Sequence, residues 1–242
     1  MTVRAAPEWL TACEYAHRGL HSPGVPENSL AAAEAAIAAG MGIECDIQRS
    51  RDNHPIVFHD WELTRLTGQG GTTEDLTADE LETLRLLGTD QTPLRLDRFL
   101  EAVGGRTTIL IEIKSKRDYD IGSTCLSVAR LLEAHASTVA VMSFDQEVPK
   151  WFSRHSPLIP CGLVCTDTLD NGFKGVWRER DPGENGAADF LALDIRDLPD
   201  PQAAAWRADH GPLLTWTVRT AELRQKALLQ ADALISEGNG LP

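Results

Sequence analysis

Positive charge is scarce in this chain. Its 23 lysines and arginines face 36 aspartates and glutamates, a formal net charge of −13 over 242 residues. So acidic a surface repels nucleic acid and anionic membranes, and neither is an expected partner. An anionic ligand would have to find its positive charge locally, at its own site. Long apolar runs are missing too. No stretch approaches the ~20 residues of a membrane span. The N-terminal MTVRAAPEWLTACEYAHRG has no continuous apolar core of the kind a secretion signal needs, so stable membrane insertion is excluded and a cytoplasmic location expected. Paired cysteines are lacking as well: there are five, an odd number, mostly within apolar runs, and they read as reduced core thiols. Cys161 and Cys165 stand close together, but CGLVC reads as a buried strand and no second pair follows, so zinc is not expected. There is no internal repeat and no low-complexity tract. Pro182-Gly183-Glu184-Asn185-Gly186 reads as a turn-rich loop within one domain, not as a linker.

What the chain does have is an alternation of β-branched runs with alanine- and leucine-rich helical patterns. Strands are expected at 13–17, 42–48, 55–59, 107–113, 138–143, 160–165, 189–194, 213–218 and 232–236. Helices are expected at 28–39, 78–87, 95–103, 122–135, 146–154, 201–209 and 220–230. Asn28 is placed as the N-cap of the first helix and Gly40 just past its end; Thr77 with Glu80 forms a capping-box pattern before the second. Strand then helix, repeated, implies a parallel sheet. Nine strands are one too many for a closed (β/α)8 TIM barrel. However, 42–48 and 55–59 are separated by too few residues for a parallel crossover and must form an antiparallel hairpin. Without that return arm eight parallel strands remain. A two-residue turn at Asp52-Asn53 would place Asp46 opposite His59, and a one-residue slip would place Cys45 there instead. The expected architecture is therefore a single α/β barrel domain over residues 1–242, with a short helical insertion at about 60–106. The N-terminal Pro7–Ala12 is expected to form a short turn that plugs the barrel bottom.

Polar residues at the C-terminal ends of barrel strands point into active sites. The first strand ends in His17-Arg18-Gly19, the second carries Glu44 and Asp46 on one face, and the third carries Glu112 and Lys114 on one face. Three converging carboxylates repel one another unless protonated or bridged by a cation, and carboxylate oxygens suit Mg2+ or Ca2+. Arg18 and Lys114 are placed to hold an anion beside that ion. Histidine as a residue type titrates near neutrality, which suits His17 and His59 to acid–base work. A cation, a phosphate clamp and two histidines fit phosphodiester cleavage. Taken alone, Glu112 and Lys114 would also make an ordinary structural ion pair. His21, His54, His135, His155 and His210 are assigned no chemical role, and Asp60 is left between orienting His59 and capping the insertion.

AHRG (16–19), PENSLAAAEAAIAAG (26–40), IECDIQRSRDNHPIVFHD (43–60), LTRLTG (63–68), LIEIK (110–114), SFD (143–145), LLTWTV (213–218) and ADALISEG (231–238) together resemble the glycerophosphodiester phosphodiesterase family, in order and over nearly the whole chain. The resemblance implies a metal-dependent TIM-barrel enzyme that cleaves small glycerophosphodiesters to sn-glycerol 3-phosphate and an alcohol. It implies His17 and His59 as the acid–base pair and Glu44, Asp46 and Glu112 as ligands of a divalent ion. Arg18 and Lys114 would bind phosphate, Glu27 would lie near metal or substrate, and Trp216 and Phe144 would line the pocket. Either a glycerol hydroxyl or water is left open as the first nucleophile. Two departures from the family pattern, Pro93–Asp97 and Ser236–Asn239, are expected to touch none of the catalytic residues. The competing readings are a related barrel phospholipase or lyase acting on lipids, and a non-catalytic barrel that binds phosphorylated ligands. The scattered Trp61, Trp151 and Trp177 give the first little support, and the intact set of histidines and acids gives the second little.

Overall fold

A computed structural model describes residues 6–134, 138–169, 172–179 and 187–242. Eight parallel strands form the barrel: β1 (Tyr15–Ala16), β2 (Gly42–Arg49), β5 (Ile109–Ile113), β6 (Val139–Ser143), β7 (Cys161–Cys165), β8 (Phe190–Asp194), β9 (Leu213–Val218) and β10 (Ala233–Ser236). Each pairs with its successor, and β1 pairs with both β10 and β2, which closes the ring. The extra strands, β3 (Pro55–Val57) and β4 (Leu94–Arg95), run antiparallel as an arm on the end of β2. Leu94–Arg95 was not expected as a strand; two residues are too few to show a period.

The outer ring holds α1 (Leu30–Ala38), α4 (Leu96–Val103), α5 (Ile121–Ala134), α6 (Glu147–His155), α8 (Pro201–Asp209) and α9 (Ala221–Gln230); the short helices α2 (Thr64–Thr67) and α3 (Ala78–Leu81) belong to the insertion, and α7 (Val176–Glu179) follows β7. The expected helix 78–87 is only one turn, α3, followed by a 3-10 turn at Leu86–Gly88, although its Thr77–Glu80 capping box is present. His135 and Pro182–Gly186 lie outside the described residues.

The period of two explains the layering. On β2 and β5, Ile43, Cys45, Ile47, Ile109, Ile111 and Ile113 face the helices and share one core with Phe99, Leu100, Val128 and Phe152. Their alternates point inward. Low in the barrel those inward residues are apolar: Tyr15, Leu110, Ala140, Val164, Phe190, Leu214 and Ala233 form one cluster. Leu10, from the 3-10 turn Glu8–Thr11, is fully buried in the same cluster, and its carbonyl accepts the Tyr15 hydroxyl at 2.9 Å; the N-terminal turn does plug the barrel bottom. Higher in the barrel, on β2 and β5, the inward residues are charged: Glu44, Asp46 and Glu112. The insertion has a small core of its own, in which Ile56, Phe58, Leu63, Leu66, Ala78, Leu81 and Leu86 pack together.

Candidate active site

The turn after β1 sets the site's first wall. Arg18 and Gly19 both have positive φ, 55° and 75°, so the chain doubles back over the barrel mouth. The Arg18 amide then donates to Glu44 Oε2 at 2.9 Å, and the Gly19 amide to the Glu44 carbonyl at 3.0 Å. A side chain at Gly19 would fall 2.8–2.9 Å from Ala32 of α1, so the turn requires glycine for its conformation and for its room.

Glu44, Asp46 and Glu112 converge as expected. They are 1%, 1% and 8% exposed, and one oxygen from each lies within 4.8 Å of the others. Lys114 stands among them, its Nζ 2.8 Å from Asp46 Oδ1 and 2.6 Å from Glu112 Oε1. Burial and the charges of Asp46 and Glu112 push the Glu44 carboxyl well above its usual range. Burial pushes Asp46 the same way, but Lys114, His59 and Arg18 hold it well below that range. Three converging carboxylates face Lys114 and the nearby Arg18, Glu44 is pushed toward its protonated form, and all the potential ligand atoms are oxygens. That is the chemistry of a site for a hard divalent cation.

Asn28 does not cap α1. Ser29 does, its Oγ accepting the Ala32 amide at 3.1 Å. Asn28 instead adopts φ 54°, a conformation asparagine tolerates, and turns its amide onto Asp46: Nδ2 donates to Oδ2 at 2.8 Å, and Oδ1 accepts the Asp46 amide at 3.1 Å. Arg18 donates from Nη1 to Glu27 Oε1 at 2.7 Å. Its Nε lies 3.5 Å from Asp46 Oδ2, buried and without a hydrogen-bond partner, a donor directed at the carboxylate cluster. Glu27 is bonded to both Arg18 and Arg65, which hold its carboxyl below the usual range against the upward push of burial.

The histidines reach this cluster by different routes. His17 follows β1 directly and is 8% exposed; its Nε2 lies 4.0 Å from Glu44 Oε2. Its Nδ1 is 2.5 Å from Glu237 Oε2. Here the expectation for the 236–239 segment fails: Glu237 follows the last barrel strand, and closure of the ring brings that strand against the first. Burial lowers the His17 imidazole to about 4, so it is neutral near pH 7. Burial works upward on Glu237, but hydrogen bonds with His17 and His21 and the nearby Arg219 hold it well below the carboxylate range. An ionised Glu237 accepts the His17 Nδ1–H and leaves the lone pair on Nε2 facing Glu44. His21, assigned no role from sequence, places Nε2 3.4 Å from the same Glu237 oxygen.

His59 is not opposite Asp46 in the hairpin. The observed pairs are Ile47 with Val57, Gln48 with Ile56 and Arg49 with Pro55, one residue away from the expected register. The turn spans three residues, Arg51, Asp52 and Asn53, with Asn53 at φ 65°, and the extra residue shifts the pairing. The Phe58 amide still bonds the Asp46 carbonyl at 2.9 Å, after which β3 ends and the chain turns. Buried Gln48 pins that turn by donating to the carbonyls of His59, at 2.8 Å, and Asp60. Asp60 Oδ1 is 2.7 Å from His59 Nδ1, so Asp60 orients the ring. Phe144 and Trp216 close the barrel interior from the far side, edge to face at 5.3 Å, with the Trp216 indole N–H donating to the Ala192 carbonyl at 2.8 Å. All ten expected site residues therefore lie at the C-terminal mouth of the barrel. Glu237, Asn28, Gln48 and Arg65 join them. All four stand within the motifs quoted above, but none of them was singled out for the site, because each acts through a tertiary contact that its local sequence does not specify.

The sequence profile of the glycerophosphoryl diester phosphodiesterase family matches residues 17–236. A glycerophosphodiester phosphodiesterase of Caldanaerobacter subterraneus subsp. tengcongensis is 43% identical over 70 residues, 28% of this chain and 28% of that protein. One from Bacillus altitudinis is 36% identical over 110 residues, 42% of this chain and 44% of that protein. The chain thus matches less than half the length of each of these two relatives. In fold it is similar to a phosphodiesterase of Oleispira antarctica solved in complex with the product sn-glycerol-3-phosphate, with a TM-score of 0.80 and 23% identity over 93% of this chain and 92% of that one. From the strand-end acids and histidines to the closed barrel that carries them, the chain belongs to the glycerophosphoryl diester phosphodiesterase family.

Proposed function

We propose that this protein hydrolyses small glycerophosphodiesters to sn-glycerol 3-phosphate and a free alcohol, with His17 and His59 as the acid–base pair. The observation that carries the reading is a shared geometry: two imidazoles at one barrel mouth, each with Nδ1 on a carboxylate, 2.5 Å for His17 and 2.7 Å for His59. Each ring therefore keeps Nε2 for proton transfer. Family membership supports the reaction class, and the glycerol phosphate bound to the Oleispira antarctica phosphodiesterase supports the product.

His17, neutral near pH 7, takes on Nε2 the proton of the attacking oxygen, which is either water or a glycerol hydroxyl; in the second case water then opens the resulting cyclic phosphate to sn-glycerol 3-phosphate. His59 delivers a proton from Nε2 to the oxygen of the departing alcohol as its bond to phosphorus breaks. Its Nδ1–H stays on Asp60 throughout, so the ring keeps its orientation. Glu44, Asp46 and Glu112 would hold a divalent ion, Mg2+ or Ca2+, which when bound supplies charge stabilisation to the phosphoryl oxygens. Arg18 Nε and Lys114 Nζ direct their donors at the same place and orient the phosphate. The Phe144–Trp216 pair gives an apolar wall for the carbon skeleton of the substrate. Incubating the protein with glycerophosphocholine, glycerophosphoethanolamine and phosphatidylcholine vesicles tests this reading. Release of sn-glycerol 3-phosphate from the soluble diesters is expected. Turnover confined to the vesicles, or none, would overturn it.

A further inference from the structure

The insertion's position beside the site, and its separate small core, are joined by one side chain. Arg65 leaves α2 and spreads its guanidinium between two carboxylates. Nε and Nη2 lie 2.5 and 2.9 Å from the Asp60 oxygens, and Nη1 and Nη2 lie 2.8 and 2.7 Å from those of Glu27. Each carboxylate holds a further residue of the site: Asp60 the His59 ring, Glu27 the Arg18 guanidinium. Arg65 is itself about half exposed.

We propose that Arg65 is a positioning residue, through which the insertion fixes the His59 ring and the Arg18 guanidinium in one arrangement. This inference rests on the proposed phosphodiesterase reading. His59 and Asp60 are consecutive residues beyond the end of β3, and no ladder hydrogen bonds fix their side chains. The His59 side chain is 29% exposed, so packing alone does not lock it. A planar fork with two bonds to Asp60 removes that freedom, and its other edge removes the same freedom from Glu27. The fork is rigid because its root is: Leu63 and Leu66, on either side of Arg65, are buried among Ile56, Phe58, Ala78, Leu81 and Leu86. Anchoring this arginine gives the insertion's core a function at the site. Glu27, His59 and Asp60 also have ligand atoms within 4.8 Å of one another, as in a metal site, but the guanidinium already serves both of those carboxylates.

Replacement of Arg65 by Ala and by Lys tests this. Misplacement of reacting groups by about 1 Å costs on the order of 100-fold in rate. Arg65→Ala is expected to lower kcat/KM by about that factor with a fall in Tm of no more than a few degrees, from the lost Asp60 and Glu27 pairs, and Arg65→Lys, which keeps the charge and loses the fork, to recover only part. Because the vacated place opens to solvent, millimolar guanidinium is expected to restore part of the activity of Arg65→Ala and none of a His59→Ala variant. Ring nitrogen NMR of His59 gives a readout that needs no turnover: one tautomer with Nδ1–H in the wild type, averaging between tautomers in Arg65→Ala. An unchanged His59 tautomer would overturn the proposal, as would activity within about threefold of wild type. So would a loss that guanidinium does not rescue and a larger fall in Tm accompanies. A wild type without turnover would sink the phosphodiesterase reading instead, and the tautomer measurement would still decide the role of Arg65.

Discussion

Asp60 and Glu237 both follow their histidines in the chain but at very different distances, one residue away in the first case and 220 away in the second. Each accepts Nδ1–H, and each is tied on its other side to an arginine, Arg65 or Arg219. Glu237→Gln keeps the shape and removes the charge that sets the His17 tautomer. Its expected effect is a fall in kcat of about 100-fold with KM within a few fold, measured by steady-state kinetics; an unchanged kcat would separate Glu237 from the chemistry. Asp60 makes a pH prediction. Burial pushes its carboxyl upward, but the hydrogen bonds with Arg65 and His59 prevail and bring it down to about 2. A folded-state value below the unfolded one stabilises the protein above about pH 4, and that contribution is lost as pH falls toward 2. Urea melts of Asp60→Asn should therefore show a shallower loss of stability between pH 4 and 2 than the wild type; parallel acid limbs would contradict this.

At the scale of elements, the parity of side chains made most of the fold and half of the site legible. Ile43-Glu44-Cys45-Asp46-Ile47 and Ile111-Glu112-Ile113-Lys114 alternate strictly, so the buried acids declared their common face before any coordinates. The hairpin register was not legible, because it turns on whether the loop holds two residues or three, and Asn53 in the left-handed region makes it three. Asn28 was misassigned because an asparagine before a helix is a good cap by local rules, and its tie to Asp46 is a tertiary contact that overrides them. Glu237 was out of reach because only ring closure brings β10 against β1. The turn between β1 and α1 carries the prediction for this scale. Gly19→Ala forces a Cβ onto the Ala32 backbone at φ 75°. Conformational strain of about 1 kcal/mol and overpacking of about 1–3 kcal/mol add. For a chain of this size the Tm should drop by roughly 5–10 °C, read by calorimetry, with activity falling alongside as Glu44 loses its backbone donors. An unaltered Tm would mean that the turn is less constrained than its contacts imply.

Taken whole, the molecule separates its stability from its chemistry along the barrel axis. The lower interior is sealed by Leu10 and filled by Tyr15, Leu110, Phe190 and Leu214. The upper interior concentrates buried charge that a small protein tolerates only where it is paired or neutralised. No helix among the described residues is long and apolar enough to cross a membrane. Arg18 and Lys114 bring positive charge to the mouth of an otherwise acidic molecule, as the proposed anionic substrate requires. Removing and restoring the divalent ion tests the central claim, an oxygen-ligand cation site worked by two imidazoles, most directly. The measurement is release of sn-glycerol 3-phosphate from glycerophosphodiesters in EDTA and after return of Mg2+, Ca2+ or Mn2+, with His17→Ala in parallel. The account predicts no release in EDTA, recovery on adding back one of the ions, and a His17→Ala variant that still binds the ion but turns over about 10²- to 10⁴-fold more slowly. Full activity in EDTA, or a His17→Ala enzyme as fast as the wild type, would contradict it.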